Sequence, residues 1–135
     1  MTVNIQLEQK ELPAFLACLG LGTLVALQKG PLSAEVGVWT MGAPRVWEPL
    51  AKRNVVPQEV IEVFQQSDEL AALQKLAPDS YEEELASLIN KLIRALNEIE
   101  EPVWRLQWKW DEKEKRTIRL DRSRKSTRLK KMVAA

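Results

Sequence analysis

The feature that most restricts the fold of this chain is a run of 16 residues, Leu12 to Leu27, without a charged side chain. Apolar surface of that extent is unfavourable in water and has to be buried in a protein core or a bilayer. The run is shorter than the ~20 residues that a membrane-spanning helix needs, and a proline and two glycines interrupt it. We therefore predict a buried helix from Pro13 to about Lys29, ended by Gly30-Pro31, and no association with a membrane.

Small side chains recur every four residues within this helix, at Ala14, Cys18, Gly22 and Ala26. That spacing lines them along one ridge of the helix. We predict that another helix or strand packs unusually close to the ridge. A membrane dimer seam has a similar pattern, but the segment is too short to span a bilayer.

Helical spacing continues through the next part of the chain. Ser33 is predicted to cap a short helix that Gly42 ends. Pro44 is predicted to open a brief helical turn that Pro49 keeps short. Pro57 suits the first position of a further helix.

The clearest element is a long amphipathic helix after residue 78. Ser67 and Asp79 are predicted to cap two successive helices, and Glu82 follows the second cap by three residues. In the second helix the apolar residues repeat with the spacing of one face: Leu85, Leu88, Ile89, Leu92, Ile93, Leu96 and Ile99. Pro102 is expected to end this helix.

Two segments near the chain ends alternate with a period of two, which is typical of strands. One is Thr2 to Glu8, and the other follows Pro102. In the second, Trp104, Leu106, Trp108 and Trp110 share one face, and Arg105, Gln107 and Lys109 share the other.

A polar loop from Asp111 to Arg116 and a return strand from Thr117 to Leu120 would complete a hairpin. We predict an α+β fold: a helical body packed on a small antiparallel sheet, formed by the N-terminal strand and a C-terminal Trp-rich hairpin, with a basic C-terminal tail. The helices are expected to cover the tryptophans of the hairpin, and Trp39 and Trp47 are also predicted as core residues.

The chain contains no histidine and one cysteine, Cys18. A Ser-His-Asp or Cys-His nucleophile, an imidazole acid or base and a His-containing zinc site are therefore excluded. A single cysteine cannot form an intrachain disulfide, and the first residues lack a basic region before an apolar segment, so we predict a cytoplasmic protein. We predict no catalytic residue, metal ligand or cofactor, and we expect the protein not to be an enzyme.

One carboxylate pattern offers a catalytic alternative. Asp79 and the run Asp111-Glu112-Lys113 match the acidic and D-x-K elements of a metal-dependent nuclease. In that chemistry both elements lie on adjoining strands, where two carboxylates share a divalent ion. Asp79 is instead predicted as a helix cap and Asp111 as the start of a loop, so the pattern lacks its structural context.

The net charge of +1 conceals two oppositely charged segments. Residues 1–111 carry 10 Lys and Arg against 16 Asp and Glu, a net of −6, whereas residues 112–135 carry 10 against 3, a net of +7. We predict one α+β domain over residues 1–121 and a basic tail over 122–135. The candidate partner- or phosphate-binding residues are Arg116, Arg119, Arg122, Arg124, Lys125, Arg128, Lys130 and Lys131.

The stretch LGLGTLVALQKG, residues 19–30, with the helical segments that follow to about residue 98, resembles a small bacterial family with no assigned function. The resemblance covers the helical body and leaves the tryptophan hairpin and the basic tail outside. It implies a bacterial or phage-related origin and supplies no catalytic residue.

Binding is therefore the predicted activity. The first hypothesis is a non-catalytic protein of immunity, inhibitor or adaptor type that acts on another protein, whose identity the sequence leaves open. The alternative is an accessory protein whose basic tail contacts the phosphates of RNA or DNA. A base-stacking sheet would need tryptophans and cations on the same exposed face, and the alternation separates them.

Overall fold

The computed structural model describes residues 1–100 and 105–112. The described residues form two compact units: residues 8–100 make a helical body, and residues 1–7 with 105–112 make a two-stranded sheet. The predicted α+β class, with an antiparallel sheet formed by strands from the two ends of the chain, is confirmed. The predicted return strand and basic tail lie outside the described residues, so the domain boundary at residue 121 stays a prediction.

Two long helices and several short ones make up the helical body. The helices are α1 (Leu12–Lys29), α2 (Ala34–Gly37), α3 (Pro44–Arg53), α4 (Gln58–Gln66), α5 (Leu70–Leu76) and α6 (Pro78–Glu98). Single 3-10 turns, Gln9–Glu11 and Ser67–Glu69, precede α1 and α5, and a π-helical turn, Val38–Gly42, follows α2. The sheet pairs β1 (Thr2–Gln6) with β2 (Gln107–Asp111).

Helix α1 contains the whole uncharged run, as predicted, and its stop signal is also confirmed. Gly30 follows the last turn in the left-handed conformation, with a φ of 99°. Its N–H donates to the carbonyl oxygen of Ala26 at 3.1 Å. Glycine accepts this conformation without the steric cost of a Cβ, so the chain turns here and the helix ends.

The core is centred on the packing of α1 against α6. The predicted apolar face of α6 is confirmed at Leu85, Leu88 and Leu92, which have no exposed surface. Ile93, however, is 41% exposed, and Ile99 lies just beyond the end of the helix. Gly20 allows the two helices to approach closely: a Cβ at this position would lie 2.9 Å from Leu92 Cδ1 and 3.1 Å from Phe64 Cε1. The close contact of α1 therefore depends on a glycine outside the predicted small-residue ridge.

The predicted packing along the small-residue ridge is wrong beyond Ala14, which is buried. Gly22 is exposed, and a Cβ added there would meet nothing within 4 Å. Cys18 and Ala26 are only half-buried. The core instead takes large side chains such as Leu24, because burying leucine removes more apolar surface from water than burying glycine or alanine does.

The consequence is an apolar surface on the solvent side of α1, which we call the α1 outer face. It consists of the exposed residues Leu19, Gly22 and Val25 together with the half-buried Cys18 and Ala26. Within the described residues, the helical stretch Gln9–Lys29 is long and apolar enough to be a candidate membrane span. Of its most apolar 18 residues, 39% are buried inside the protein. Core helices of soluble proteins pass the same test, so this is weak evidence for a span.

Helix α3 differs from its prediction in length. Pro49 was expected to keep this segment to a brief turn, yet the helix runs from Pro44 to Arg53 with Pro49 inside it. A proline in a helix removes the hydrogen bond that its missing N–H would donate, and the helix continues past that loss here. The predicted cap of α2 is confirmed, since the Ser33 side chain accepts from the N–H of Val36 at 3.4 Å.

Two predicted caps on later helices are wrong. Asp79 does not cap α6, because Ala77 holds that position and Pro78 is the first helical residue. Asp79 lies in the first turn, where the helix dipole favours a carboxylate. Ser67 is buried, and its Oγ donates to the carbonyl oxygen of Phe64 at 2.7 Å. Its side chain therefore provides a hydrogen bond to a carbonyl group in the last turn of α4 and does not cap α5.

Among the side chains of residues 1–100 and 105–112, one buried polar group has no hydrogen-bond partner. Tyr81 on α6 is 4% exposed, and its hydroxyl has no hydrogen-bond partner among the described residues. Desolvation by burial, with a smaller contribution from the charge of Glu82, raises the pKa of Tyr81 above its ordinary value of 10.0. Both observations indicate a hydroxyl that destabilises the folded state.

We expect Tyr81→Phe to raise the free energy of unfolding by about 1 kcal/mol at neutral pH, because it removes an unsatisfied buried hydroxyl. Above about pH 10 the unfolded chain loses the tyrosine proton before the folded chain does, so parent stability falls with rising pH. Tyr81→Phe has no such ionisable group, so the difference in free energy of unfolding between the variant and the parent should increase with pH. Urea unfolding of both proteins across this pH range measures the difference.

The spectroscopic control uses the fact that Tyr81 is the chain's single tyrosine. Tyrosinate absorbance should therefore titrate above pH 10 in the folded protein and return to the ordinary pKa in urea. A variant less stable than the parent by 1 kcal/mol or more, on the same order as the expected gain, would show that the hydroxyl has a stabilising partner.

Candidate functional site

The binding residues predicted from the basic tail are Arg116, Arg119, Arg122, Arg124, Lys125, Arg128, Lys130 and Lys131, and all of them lie outside the described residues. Their role stays a prediction. The described residues carry a different candidate site, on the two-stranded sheet.

The register of the sheet collects its apolar side chains on one side. Val3 pairs with Trp110, and Ile5 pairs with Trp108. Residues directly opposite each other in an antiparallel pair project to the same face, and residues two apart on one strand do so as well. Val3, Ile5, Trp108 and Trp110 therefore form one surface, which we call the tryptophan face.

The tryptophan face is open to solvent. Ile5 is 42% exposed, Trp108 51% and Trp110 58%. The two indole rings stack on each other, with centroids 6.2 Å apart and planes inclined by 16°. Their shared face confirms the predicted alternation, but the prediction that Trp108 and Trp110 are core residues is wrong. A sheet of two five-residue strands is too small to bury the side chains on its own face.

The opposite face of the sheet is polar. Asn4 pairs with Lys109, and Gln6 pairs with Gln107, so these four side chains project away from the tryptophan face. The predicted separation of the aromatic residues from Lys109 is thereby confirmed. The tryptophan face itself contains no charged side chain, so its chemistry is that of an apolar contact surface.

Of the other three predicted core tryptophans, Trp104 lies outside the described residues. Trp39 and Trp47 are in the helical body, and they differ from each other. Trp47 is half-buried, packs against the core, and donates from Nε1 to the carbonyl oxygen of Gly42 at 3.0 Å. Trp39, on the π-helical turn, is 62% exposed, so its assignment to the core is wrong. The guanidinium of Arg45 lies 5.4 Å from the centroid of the Trp39 ring, a cation–π contact that holds the indole at the surface.

The two carboxylates of the nuclease pattern lie on different kinds of element. Asp79 lies in the first turn of α6 and not on a strand, whereas Asp111 ends β2. Within residues 1–100 and 105–112, no group of three or more His, Cys, Asp or Glu side chains is placed to hold a metal ion. Lys113, the third element of the pattern, lies outside the described residues.

Comparison with known proteins identifies the family but no function. Neither a curated protein nor a solved structure matches the chain. The family model described as "Protein of unknown function (DUF3969)" matches residues 7–112. This match extends past the helical body, to which the resemblance in the sequence was confined, and it includes β2 with Trp108 and Trp110. Because the match covers most of the chain, the protein belongs to the DUF3969 family of unknown function.

Proposed function

We propose that this chain is a non-catalytic, cytoplasmic protein of bacterial origin that binds another protein through the tryptophan face, as an immunity, inhibitor or adaptor protein does. The observation that carries the proposal is the stacked pair of Trp108 and Trp110, each more than half exposed. Exposed apolar clusters of this kind are uncommon on soluble proteins and mark interaction surfaces.

The pair has the properties of an interaction hot spot. Tryptophan is enriched among the residues that dominate binding energy, and each indole side chain offers about 150–250 Å² of surface to bury. The two rings already stack on each other, so fewer rotamers have to be fixed on binding. A partner that covered the face would also stabilise the two-stranded sheet, since such sheets are marginal in water by themselves.

The geometry favours a protein over a nucleic acid at this face. Each indole has one side occupied by its neighbour, which leaves fewer free ring faces for bases. Single-strand binding also requires cations that follow the phosphates beside the aromatic residues. Lys109 projects from the opposite face of the sheet. An apolar pocket or groove on a protein is the complementary surface.

The second candidate function is nucleic-acid binding by the basic tail. It rests on the net charge of +7 in residues 112–135. Phosphate contacts by the eight basic residues named above would release counterions, so such binding would weaken steeply with salt. This function uses a different part of the chain, and one experiment separates it from the first.

The experiment is affinity capture of the full chain from its native cell, with and without nuclease. We expect the parent protein to recover one stoichiometric protein that resists nuclease treatment. The double variant Trp108→Ala/Trp110→Ala should lose it, because a hot-spot residue contributes about 2 kcal/mol or more, which is at least ~30-fold in affinity. Binding of the recovered partner to each variant, measured by calorimetry, gives the size of the loss.

Two variants serve as controls for this experiment. Trp39→Ala removes an equally exposed tryptophan at a different place, and Lys109→Ala changes the polar face of the same strand. Both should bind the partner as the parent does. If the double tryptophan variant binds the partner as tightly as the parent, the tryptophan face is not the binding site. If nuclease treatment removes the captured material, the second candidate function, nucleic-acid binding by the basic tail, is supported instead.

A further inference from the structure

The second edge of β1 is open to pairing with another strand. Within residues 1–100 and 105–112, β1 pairs with β2 alone, so no described strand lies along its other edge. Backbone N–H and C=O groups point alternately toward the two edges of a strand, and those on an outer edge are a template for a further strand. Three successive residues of β1, Asn4, Ile5 and Gln6, have exposed side chains. The group that fits this edge is therefore an extended segment of polypeptide.

β1 lacks the features that normally protect such an edge. Soluble proteins protect edge strands with charged side chains, prolines or β-bulges. The sequence of β1, TVNIQ, contains neither a charged residue nor a proline, and its register with β2 runs without a bulge from Thr2 to Gln6. β2 differs, because Lys109 is its central residue. Antiparallel pairing of two β2 strands about their centres would bring two Lys109 side chains together, whereas no like charges meet when two β1 strands pair.

The pattern of β1 is the same in both chain directions. Its residues are polar, apolar, polar, apolar and polar, with Asn4 at the centre. An antiparallel pair of copies centred on Asn4 therefore places Val3 opposite Ile5 of the second copy. The same register places Thr2 opposite Gln6 of the second copy. Opposite residues project to the same face, so apolar side chains meet apolar ones and polar side chains meet polar ones.

Two further properties favour a second copy as the strand that fills this edge. Asn4 lies opposite itself in this register, and each side-chain amide has the donor and the acceptor to bond reciprocally with the other. All five residues of β1 take part, whereas a shift by one residue would set Val3 opposite a polar side chain. The register is therefore specified by the sequence of β1 itself.

We propose that two copies of this chain pair antiparallel along the β1 edge, with the two-fold axis at Asn4, and so form a four-stranded sheet in the order β2-β1-β1-β2. The axis is perpendicular to the sheet, so the two tryptophan faces lie on the same side and join through Val3 and Ile5. A two-stranded sheet is marginal in water, and two added strands stabilise it. The proposal goes beyond the proposed function, since the dimer uses a strand edge and presents two tryptophan faces to partners.

Sedimentation equilibrium of the full chain, purified without any partner, tests the proposal. Five pairs of residues bury less than the about 800 Å² per partner of a standard interface. We therefore expect the parent to form reversible dimers over a concentration series from the micromolar to the millimolar range. Asn4→Lys should raise the dissociation constant at least ~10-fold, because two positive charges meet at the axis.

Two further samples distinguish pairing at the axis from a general effect of charge. Asn4→Glu mixed with Asn4→Lys should restore the dimer as a mixed pair, because opposite charges then meet at the axis. This rescue requires residue 4 of one copy to lie against residue 4 of the other, and it shows that both variants keep the strand. The matched control is Gln107→Lys, which adds a positive charge to the same polar face but on β2, and it should dimerise as the parent does.

Amide hydrogen exchange gives a measurement that needs no substitution. The N–H groups of β1 that point away from β2 should form hydrogen bonds with the second copy. Their exchange, measured by NMR on the parent, should therefore slow as the protein concentration rises. The N–H groups of β1 that point toward β2 are the internal reference.

Each result decides the proposal. Dimers that Asn4→Lys abolishes, that the mixture restores and that Gln107→Lys retains support it. A parent that stays monomeric throughout the series overturns it. A dimer that Asn4→Lys leaves intact and Trp108→Ala/Trp110→Ala abolishes would overturn it in favour of contact between two tryptophan faces. A monomeric parent with slow exchange on the outer edge of β1 would overturn it in favour of a segment of the same chain on that edge.

Discussion

Leu92→Ala should lower the free energy of unfolding by about 3–4 kcal/mol, one of the two largest losses expected for this chain. Leu92 on α6 has no exposed surface and lies against α1 at the point where Gly20 admits the close approach. Truncation removes buried methyl groups and leaves a cavity that two long packed helices cannot collapse. Urea unfolding followed by circular dichroism measures the loss, which is a large fraction of the ~5–15 kcal/mol that stabilises a domain.

The matched control is Leu76→Ala. Leu76 is 85% exposed, so the same chemical change should alter stability by no more than ~0.5 kcal/mol. A loss at Leu92 of under about 1 kcal/mol, below the range for buried leucines, would contradict the α1–α6 packing.

A double-mutant cycle tests the contact itself. In the parent, Gly20→Ala places a Cβ 2.9 Å from Leu92 Cδ1, but Leu92→Ala removes that atom and leaves room. Gly20→Ala should therefore be more favourable in the Leu92→Ala background, with a coupling of about 1 kcal/mol. Additive effects would show that the two positions do not touch.

Gly42→Ala should destabilise the protein by about 2–3 kcal/mol for a different reason, overpacking against main-chain atoms. A Cβ on Gly42 would lie 2.8 Å from the backbone N of Asp68, 2.9 Å from its Cα and 3.0 Å from the carbonyl carbon of Ser67. A crowded side chain can change rotamer, but this backbone belongs to the turn Ser67–Glu69 and has to move as a whole.

The matched control for this prediction is Gly22→Ala, the same substitution in open space. It should stabilise α1 by about 0.5–1 kcal/mol, because alanine is the better helix former. Thermal and urea unfolding compare the two variants. A Gly42→Ala variant as stable as the parent would show that the π-helical turn and Ser67–Glu69 are not in contact.

Local signals explain most of what could be predicted about the helical body. The apolar spacing of α6, the cap at Ser33 and the stop at Gly30 depend on neighbours within a few turns, and each was found where the sequence places it. Asp79 does not cap α6 because Pro78, just before it, is itself a favoured first residue of a helix. Helix α3 continues past Pro49, and its partly buried Val46, Trp47 and Leu50 pack against the core.

The candidate site was predicted only in part. The alternation around Trp108 and Trp110 correctly predicts that they share a face and that Lys109 does not. It does not predict that the face is exposed, because periodicity reports which residues are neighbours and not what lies above them. The sequence carries no signal for the short length of β2, because its alternation runs from Trp104 to Trp110. Only the structure shows five residues in a two-stranded sheet, which have little capacity to form a covered layer.

By itself, the sequence determined where most of the helices and both described strands lie and which residues share a face, because periods of 3.6 and 2 residues are properties of the local backbone. Only the tertiary structure decided which faces are buried. Helix α1 is apolar on every side, so its sequence contains no preference for one orientation. Packing against α6 buried Leu24 and left Gly22 in solvent, and that choice created the α1 outer face.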